Sequence, residues 1–253
     1  MTTQRMLTLT MEIGREMLVS GAEVARVEDT ITRICSAYGC SEINVFTITS
    51  SIVVTVRGAD GEILTQTRRV SGYSTDLDRL DQLNGLSRRI CAQTPDEQEV
   101  ASSLQRILAR PNYSLGVRCL ASAGSAAAFT AFFGGGIWDM AVSALLGVVL
   151  RLCMAGLERV KSNTMFSNYI TAFVVGLLAI LSVRAGLGQD YEKIIIGNIM
   201  LLISGAAFFN SLRDIIAGDM MAGILRLCEA VVLAVFLAAG VATAILLTGV
   251  MGL

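Results

Sequence analysis

Four uncharged stretches fill most of the chain beyond residue 118: Cys119–Trp138, Ser162–Val183, Ile194–Leu212 and Ala230–Leu253, of 20, 22, 19 and 24 residues. A helix rises about 1.5 Å per residue, so about 20 apolar residues cross a hydrocarbon core of about 30 Å, and helices in soluble cores seldom stay uncharged that long. The back of this chain is therefore expected to sit in lipid. Its front is different: residues 1–118 carry 13 Arg and 14 acidic side chains, against 14 charges in all of 119–253. The mean hydropathy of +0.63 averages over this division and hides it.

A net charge of −1 with no basic block gives nothing for a nucleic-acid backbone to bind, and no such partner is expected. The chain has no histidine, so the commonest general base and metal ligand is missing; neither a cofactor nor a metal is expected. No G-x-S-x-G or P-loop pattern occurs, and an enzyme is not expected. The six cysteines have no CxxC spacing and read as small hydrophobes. MTTQRMLTLTMEIGRE lacks the apolar core and cleavage site of a signal peptide, and the front part is therefore expected to stay in the cytoplasm.

Residues 1–112 read as an α+β domain. Met6, Leu9, Ile13 and Met17 share one face of a first helix, and Val24, Val27, Ile31, Ile34 and Tyr38 one face of a second. Ser20 and Glu23 fit a capping box at the start of the second, and Gly39 a left-handed stop at its end. The period then shifts to two: Ile43, Val45 and Thr47 mark one strand, and Ile52, Val54, Val56 with Ile63, Thr65, Thr67 a hairpin about Gly58–Gly61. Leu77, Leu80, Leu83 and Ile90 indicate a further helix, and Thr94-Pro95-Asp96-Glu97 the start of another with Thr94 as N-cap.

Residues 113–253 read as an all-α polytopic membrane domain of five crossings, at 115–135, 138–157, 166–187, 194–213 and 224–250. Arg106, Arg110, Arg118, Arg159, Lys161, Arg213 and Arg226 fall on one side, and only Arg184 and Lys193 on the other. Basic residues favour the cytoplasmic side, which places the N-terminus inside and the C-terminus outside. The first crossing is rich in small residues, Ala121, Gly124, Ser125 and Ala128, at spacings that let helix backbones approach closely.

Three stretches carry a resemblance: GAEVARVEDTITRICSAYG at 21–39 with the SEINVFTITSSIVVTV that follows, GGGIWD at 134–139, and SGAAFFNSLRDIIAGD at 204–219. In this order they resemble the threonine/serine exporter family, over nearly the whole chain. Ser204 stands where that family usually has proline, and Gly205 remains. The resemblance implies an inner-membrane exporter of small polar metabolites, threonine and serine or small dicarboxylates such as succinate. It also implies the larger subunit of a two-component exporter with a second small multi-span membrane subunit; self-association of the chain is a further expectation. The competing reading is a membrane-anchored metabolite sensor or regulatory protein.

A substrate with a carboxylate needs a cation, and proton coupling needs an acid of adjustable pKa. Arg213 is the expected carboxylate ligand, with Asn210 adding an amide hydrogen bond and Asp214 or Asp219 carrying the coupling proton; the alternative is that Arg213 and Asp214 only anchor the helix at the cytoplasmic interface. Glu229 is the acid expected to be most buried and a second candidate for coupling, or else is paired with Arg226 or Arg151; Arg151, which interrupts the second crossing, is also a candidate for substrate binding or coupling. Asp139 lies at an outer mouth or simply starts a helix. In the front domain Glu23, Arg26 and Asp29 form either a solvated face or a cytoplasmic gate or docking face.

Overall fold

The computed structural model describes residues 2–72, 74–111 and 113–250. The expected domain boundary at 112 and the end of the last uncharged run, 251–253, lie outside the described residues. Contacts divide the chain into two units, Met1–Pro111 with Gly205–Cys228, and Asn112–Ser204 with Glu229–Leu253.

The first unit begins with helices α1 (Thr3–Val19) and α2 (Val24–Ala37), strands β1 (Ser41–Ile48), β2 (Ser51–Arg57) and β3 (Ile63–Arg69), and helices α3 (Leu77–Gln93) and α4 (Glu97–Leu108). The strands form one antiparallel sheet in the order β1-β2-β3, with Val53 opposite both Phe46 and Thr67. The period of two buries Ile52, Val54 and Val56 completely, and Leu7, Met11, Met17, Val27 and Ile31 of the first two helices join them in one core. Each such aliphatic side chain contributes about 1.5–3 kcal/mol on burial. Gly14 lets α1 and α2 close on each other, since a Cβ there would lie 2.7 Å from Ile31 Cδ1.

Two start signals differ from the sequence reading. Ser20 is the C-cap of α1, with its N–H on the Glu16 carbonyl, so it is already committed and forms no capping box with Glu23. Glu23 occupies the N-cap of α2 without any side-chain cap bond. Thr94 is the left-handed C-cap of α3 at φ +43°, and Asp96 caps α4 in its place by accepting the Glu99 N–H at 2.8 Å. In both cases the preceding helix uses the residue first. Gly39, at φ +81°, ends α2 as expected, and Gly61, at φ +85°, closes the β2–β3 hairpin.

The second unit contains α5 (Leu115–Phe132), α6 (Ile137–Arg159), α7 (Thr164–Arg184) and α8 (Tyr191–Ile199). Two further helices follow, α9 (Gly205–Ala217), which belongs to the first unit, and α10 (Met220–Val250), whose first residues do and whose remainder does not. Among the described residues four helices, α5, α6, α7 and α10, are long and apolar enough to cross a membrane. The expected crossing at 194–213 is not among them, because it is interrupted at 200–204 between α8 and α9. There Leu201 and Leu202 donate to carbonyls only three residues back, at 3.1 and 2.8 Å, which tightens the last turn before the helix stops. The interruption includes Ser204 and precedes Gly205, the first residue of α9.

Within the second unit Val142, Leu146, Ala179, Ile180, Ile194 and Ile195 form the apolar centre. Helices meet where side chains are smallest: a Cβ on Gly147 would lie 2.7 Å from the Ser122 carbonyl oxygen, and one on Gly240 would collide with the Tyr169 carbonyl. On α5 the packed stripe is Ser122, Ala126 and Thr130, whereas Ala121, Gly124, Ser125 and Ala128 face outward.

Candidate functional site

In the first unit, Gly218 turns the chain at φ +102°, and Gly223 lets the start of α10 pack on α9, since a Cβ there would lie 2.7 Å from the Ser211 carbonyl oxygen. This helical hairpin presents four polar side chains to the loop that joins α1 to α2. Asn210 donates its amide to the Gly21 carbonyl at 3.0 Å, Arg226 donates to the Ala22 carbonyl at 3.4 Å, and Arg213 pairs with the Glu23 carboxylate at 2.7 Å. Asp214 accepts the Val24 N–H at 3.4 Å and forms an ion pair with Arg226 at 3.1 Å. All four residues from Gly21 to Val24 are therefore engaged, and the free amide at the start of α2 is capped from 190 positions further along the chain.

Burial separates these groups. Asp214 is 1% and Arg226 5% exposed, so each depends on the other for its charge. The Arg213 side chain is 70% exposed, so water screens its pairing with Glu23. Asp219 donates its backbone N–H to the Asp214 carbonyl at 2.9 Å. Nearby Glu28 accepts the Thr47 N–H at 2.7 Å. Burial holds the Glu28 carboxyl above the ordinary carboxylate range and Asp219 pushes the same way, against the hydrogen bond from Thr47. Arg26 and Asp29 lie apart from this cluster, beside a cleft of about 420 Å³ also lined by Arg33, Asn84, Ser87 and Arg88. Asp29 is tied to Arg33 there at 2.7 Å.

In the second unit Asp139 is 1% exposed and accepts three backbone N–H groups, of Gly136 at 3.0 Å, Gln189 at 2.6 Å and Asp190 at 3.1 Å. It starts α6 and fixes the loop before α8. A buried polar chain runs beneath it: Asn198 donates to the Ser143 hydroxyl at 2.8 Å, Thr130 donates to the same oxygen at 2.6 Å, and Ser143 donates to the Ala126 carbonyl at 3.1 Å. The Cβ of any larger residue at 197 would run into Thr130, which leaves this chain of hydroxyls as cement between α5, α6 and α8. Nearer the other end of α6, Arg151 and Arg118 both approach Glu158 Oε1, each at 3.7 Å.

The sequence-derived residues thus separate into groups. Asn210, Arg213 and Asp214 come together with Glu23, whereas Asp139, Arg151 and Glu229 do not join them. Glu229 is exposed, contrary to the expectation of a buried acid, and among the described residues Arg226 pairs with Asp214 and Arg151 with Glu158. The sequence reading did not propose Thr130, Ser143, Asn198 or Glu158 as site residues. The signal for the first three was present, as polar side chains inside otherwise apolar runs.

The family model for the threonine/serine exporters, ThrE, matches residues 8–248. The chain is 31% identical over 252 residues to the "Probable threonine/serine exporter" of Mycobacterium tuberculosis, covering 97% of this chain and 46% of that protein. It is 27% identical to the "Probable succinate transporter subunit YjjP" of Klebsiella aerogenes, covering 98% of this chain and 96% of the relative. The "Threonine/serine exporter" of Corynebacterium glutamicum is 25% identical, with 97% of this chain and 52% of that protein covered. The chain thus spans about half the length of the two relatives named threonine/serine exporters and nearly all of the third. No solved structure matches it. The match includes residues of both contact units, the charged front, the apolar helices and the 204–219 segment alike: the chain is a member of the threonine/serine exporter family.

Proposed function

We propose that this chain exports small polar metabolites, threonine and serine or small dicarboxylates such as succinate, across the inner membrane, together with a second small membrane subunit. The observation that carries this reading is the family match over residues 8–248, which takes in the charged front part and the apolar helices together. The names of the relatives support both solute classes, and the word "subunit" in one of them supports a partner. The basic residues at 106–118, 159–161 and 213–226 support a cytoplasmic N-terminus and an external C-terminus. The test is efflux of labelled threonine, serine and succinate from cells making the chain with and without its partner. Accumulation outside the cell above the empty-vector level is expected with the partner; equal retention of all three solutes would overturn export.

For Asn210, Arg213 and Asp214 the contacts favour docking over direct solute binding. Their polar atoms are directed at the Gly21–Val24 loop, so this grip is proposed to hold the α1–α2 loop to the α9–α10 hairpin within the first unit. The second reading, a membrane-anchored sensor, draws on the cleft beside Arg26 and Arg88, which offers two cations to an anionic metabolite in the front unit, Arg33 there being paired with Asp29. Export without dependence on Arg26 and Arg88 would remove that reading.

A further inference from the structure

Arg151 lies eight residues before the end of α6, about 12 Å along the helix axis and inside the apolar segment. Its side chain is only 16% exposed. The Nε and Nη2 atoms are both shut off from solvent, and neither finds a hydrogen-bond acceptor among the described residues. Glu158 Oε1, at 3.7 Å from Nη2, is beyond hydrogen-bond reach and is shared with Arg118 Nη2 at the same distance. Two guanidinium groups therefore share one carboxylate, and since the Glu158 side chain is 54% exposed, Arg151 is the member of the three whose charge is both shut in and incompletely compensated.

The placement follows from helix packing. Gly147 of α6 touches Ser122 of α5, and one turn along on each helix stand Arg151 and Arg118, which this contact brings opposite each other. The two nitrogens without acceptors are not an arbitrary pair. Nε–H and Nη2–H lie along one edge of the guanidinium plane and point the same way, the spacing that a carboxylate accepts with both oxygens at once. A single monoanionic carboxylate on that edge would satisfy both donors and complete that compensation.

We propose that Arg151 binds the carboxylate of the transported solute through this Nε/Nη2 edge, with Arg118 adding charge and Glu158 competing for the same cations. The inference rests on the exporter reading and names where in the membrane part the solute's acid group is held.

The experiment is calorimetric titration of the detergent-purified full-length chain with threonine and succinate, with threoninamide and succinamide lacking the carboxylate, and with inorganic phosphate. The native chain is expected to bind one of the acids at least tenfold more tightly than its amide. Arg151→Lys, which keeps the charge and loses the planar edge, is expected to weaken that binding at least tenfold. Glu158→Gln, which removes the competitor, is expected to tighten it about threefold, a gain that a merely structural role for the cluster would not produce. Unchanged binding by Arg151→Lys, equal binding of acid and amide, or weaker binding by Glu158→Gln overturns the proposal. Competition by phosphate at equal strength assigns a general anion site and overturns it as well. Should Arg151→Lys fail to fold by circular dichroism, the sign of the Glu158→Gln effect decides alone. Failure of the underlying reading looks different: cells making the native chain and partner would then show no efflux, whereas efflux undiminished in cells making Arg151→Lys would spare export and remove only this site.

Discussion

Asp214 and Arg213 are neighbours in sequence and opposites in energetics. Removing the Asp214 carboxylate takes from the buried Arg226 the acid that lies 3.1 Å away, so Asp214→Ala is expected to destabilise the protein by about 3–5 kcal/mol. Arg213→Ala breaks only a solvent-screened pair and is expected to lose less than about 1 kcal/mol. Denaturant unfolding of the purified variants in detergent checks both, and comparable losses would contradict the burial argument. Glu28 provides a pH test. Its folded pKa is raised above the ordinary value of 4.5, so the folded state binds the proton more tightly than the unfolded one. Its contribution therefore favours folding below that value and is lost as pH rises through the window above it. Glu28→Gln, which keeps an acceptor for Thr47, is expected to gain stability relative to the native chain as pH rises through that window, as read from melting curves. A difference that does not vary with pH would show that Glu28 does not titrate there.

The elements themselves were largely legible in the sequence, and the reason is periodicity. Ile52, Val54 and Val56 alternate because one face of β2 meets a core, and the apolar runs of α5, α6, α7 and α10 stand out because they reach the length and hydropathy that crossing a membrane requires. What the pattern did not reveal was which helix uses a shared residue. Ser20 and Thr94 both qualify as N-caps from composition, yet each closes the helix before it, a choice made by the turn geometry and not by residue type. The stop at 200–204 was likewise invisible to hydropathy, which remains high across it. On α5 the outward face of small residues and the packed face look alike in sequence, but Gly197 and Gly124 separate them. A Cβ at 197 would run into Thr130 of α5, so Gly197→Ala is expected to destabilise by about 1–3 kcal/mol through overpacking. Gly124 has open space around it, and Gly124→Ala is expected to be neutral or to stabilise by about 0.5–1 kcal/mol through helix propensity. Thermal melts of the two variants compare these outcomes directly.

At the scale of the molecule, the candidate site was only half visible. Asn210, Arg213 and Asp214 stood out as polar residues beside an apolar run, and Glu23 as part of a charged face. Nothing in the sequence says that they meet, because their contacts cross about 190 positions and no local period encodes such a distance. Glu229 misled for the related reason that position along a helix does not fix which way it faces. Since the first unit is built from two separate stretches, Met1–Pro111 and Gly205–Cys228, the front stretch alone lacks part of its own polar framework. A fragment of residues 1–111 is expected to exchange the Val24 amide hydrogen faster than the full chain does. Equal protection in hydrogen-exchange measurements would mean that Asp214 does not cap α2.

The same long-range cap sets an order of events at the ribosome. Val24 leaves the exit tunnel far ahead of Asp214, and at about 5–20 residues per second the intervening 190 positions take on the order of 10–40 s to synthesise. Through that interval the newborn α2 starts without its final cap while the apolar helices are being delivered to the bilayer. Maturation of the first unit then waits on synthesis of the apolar helices: a chain stalled before residue 214 would expose an unfinished helix end to chaperones and proteases.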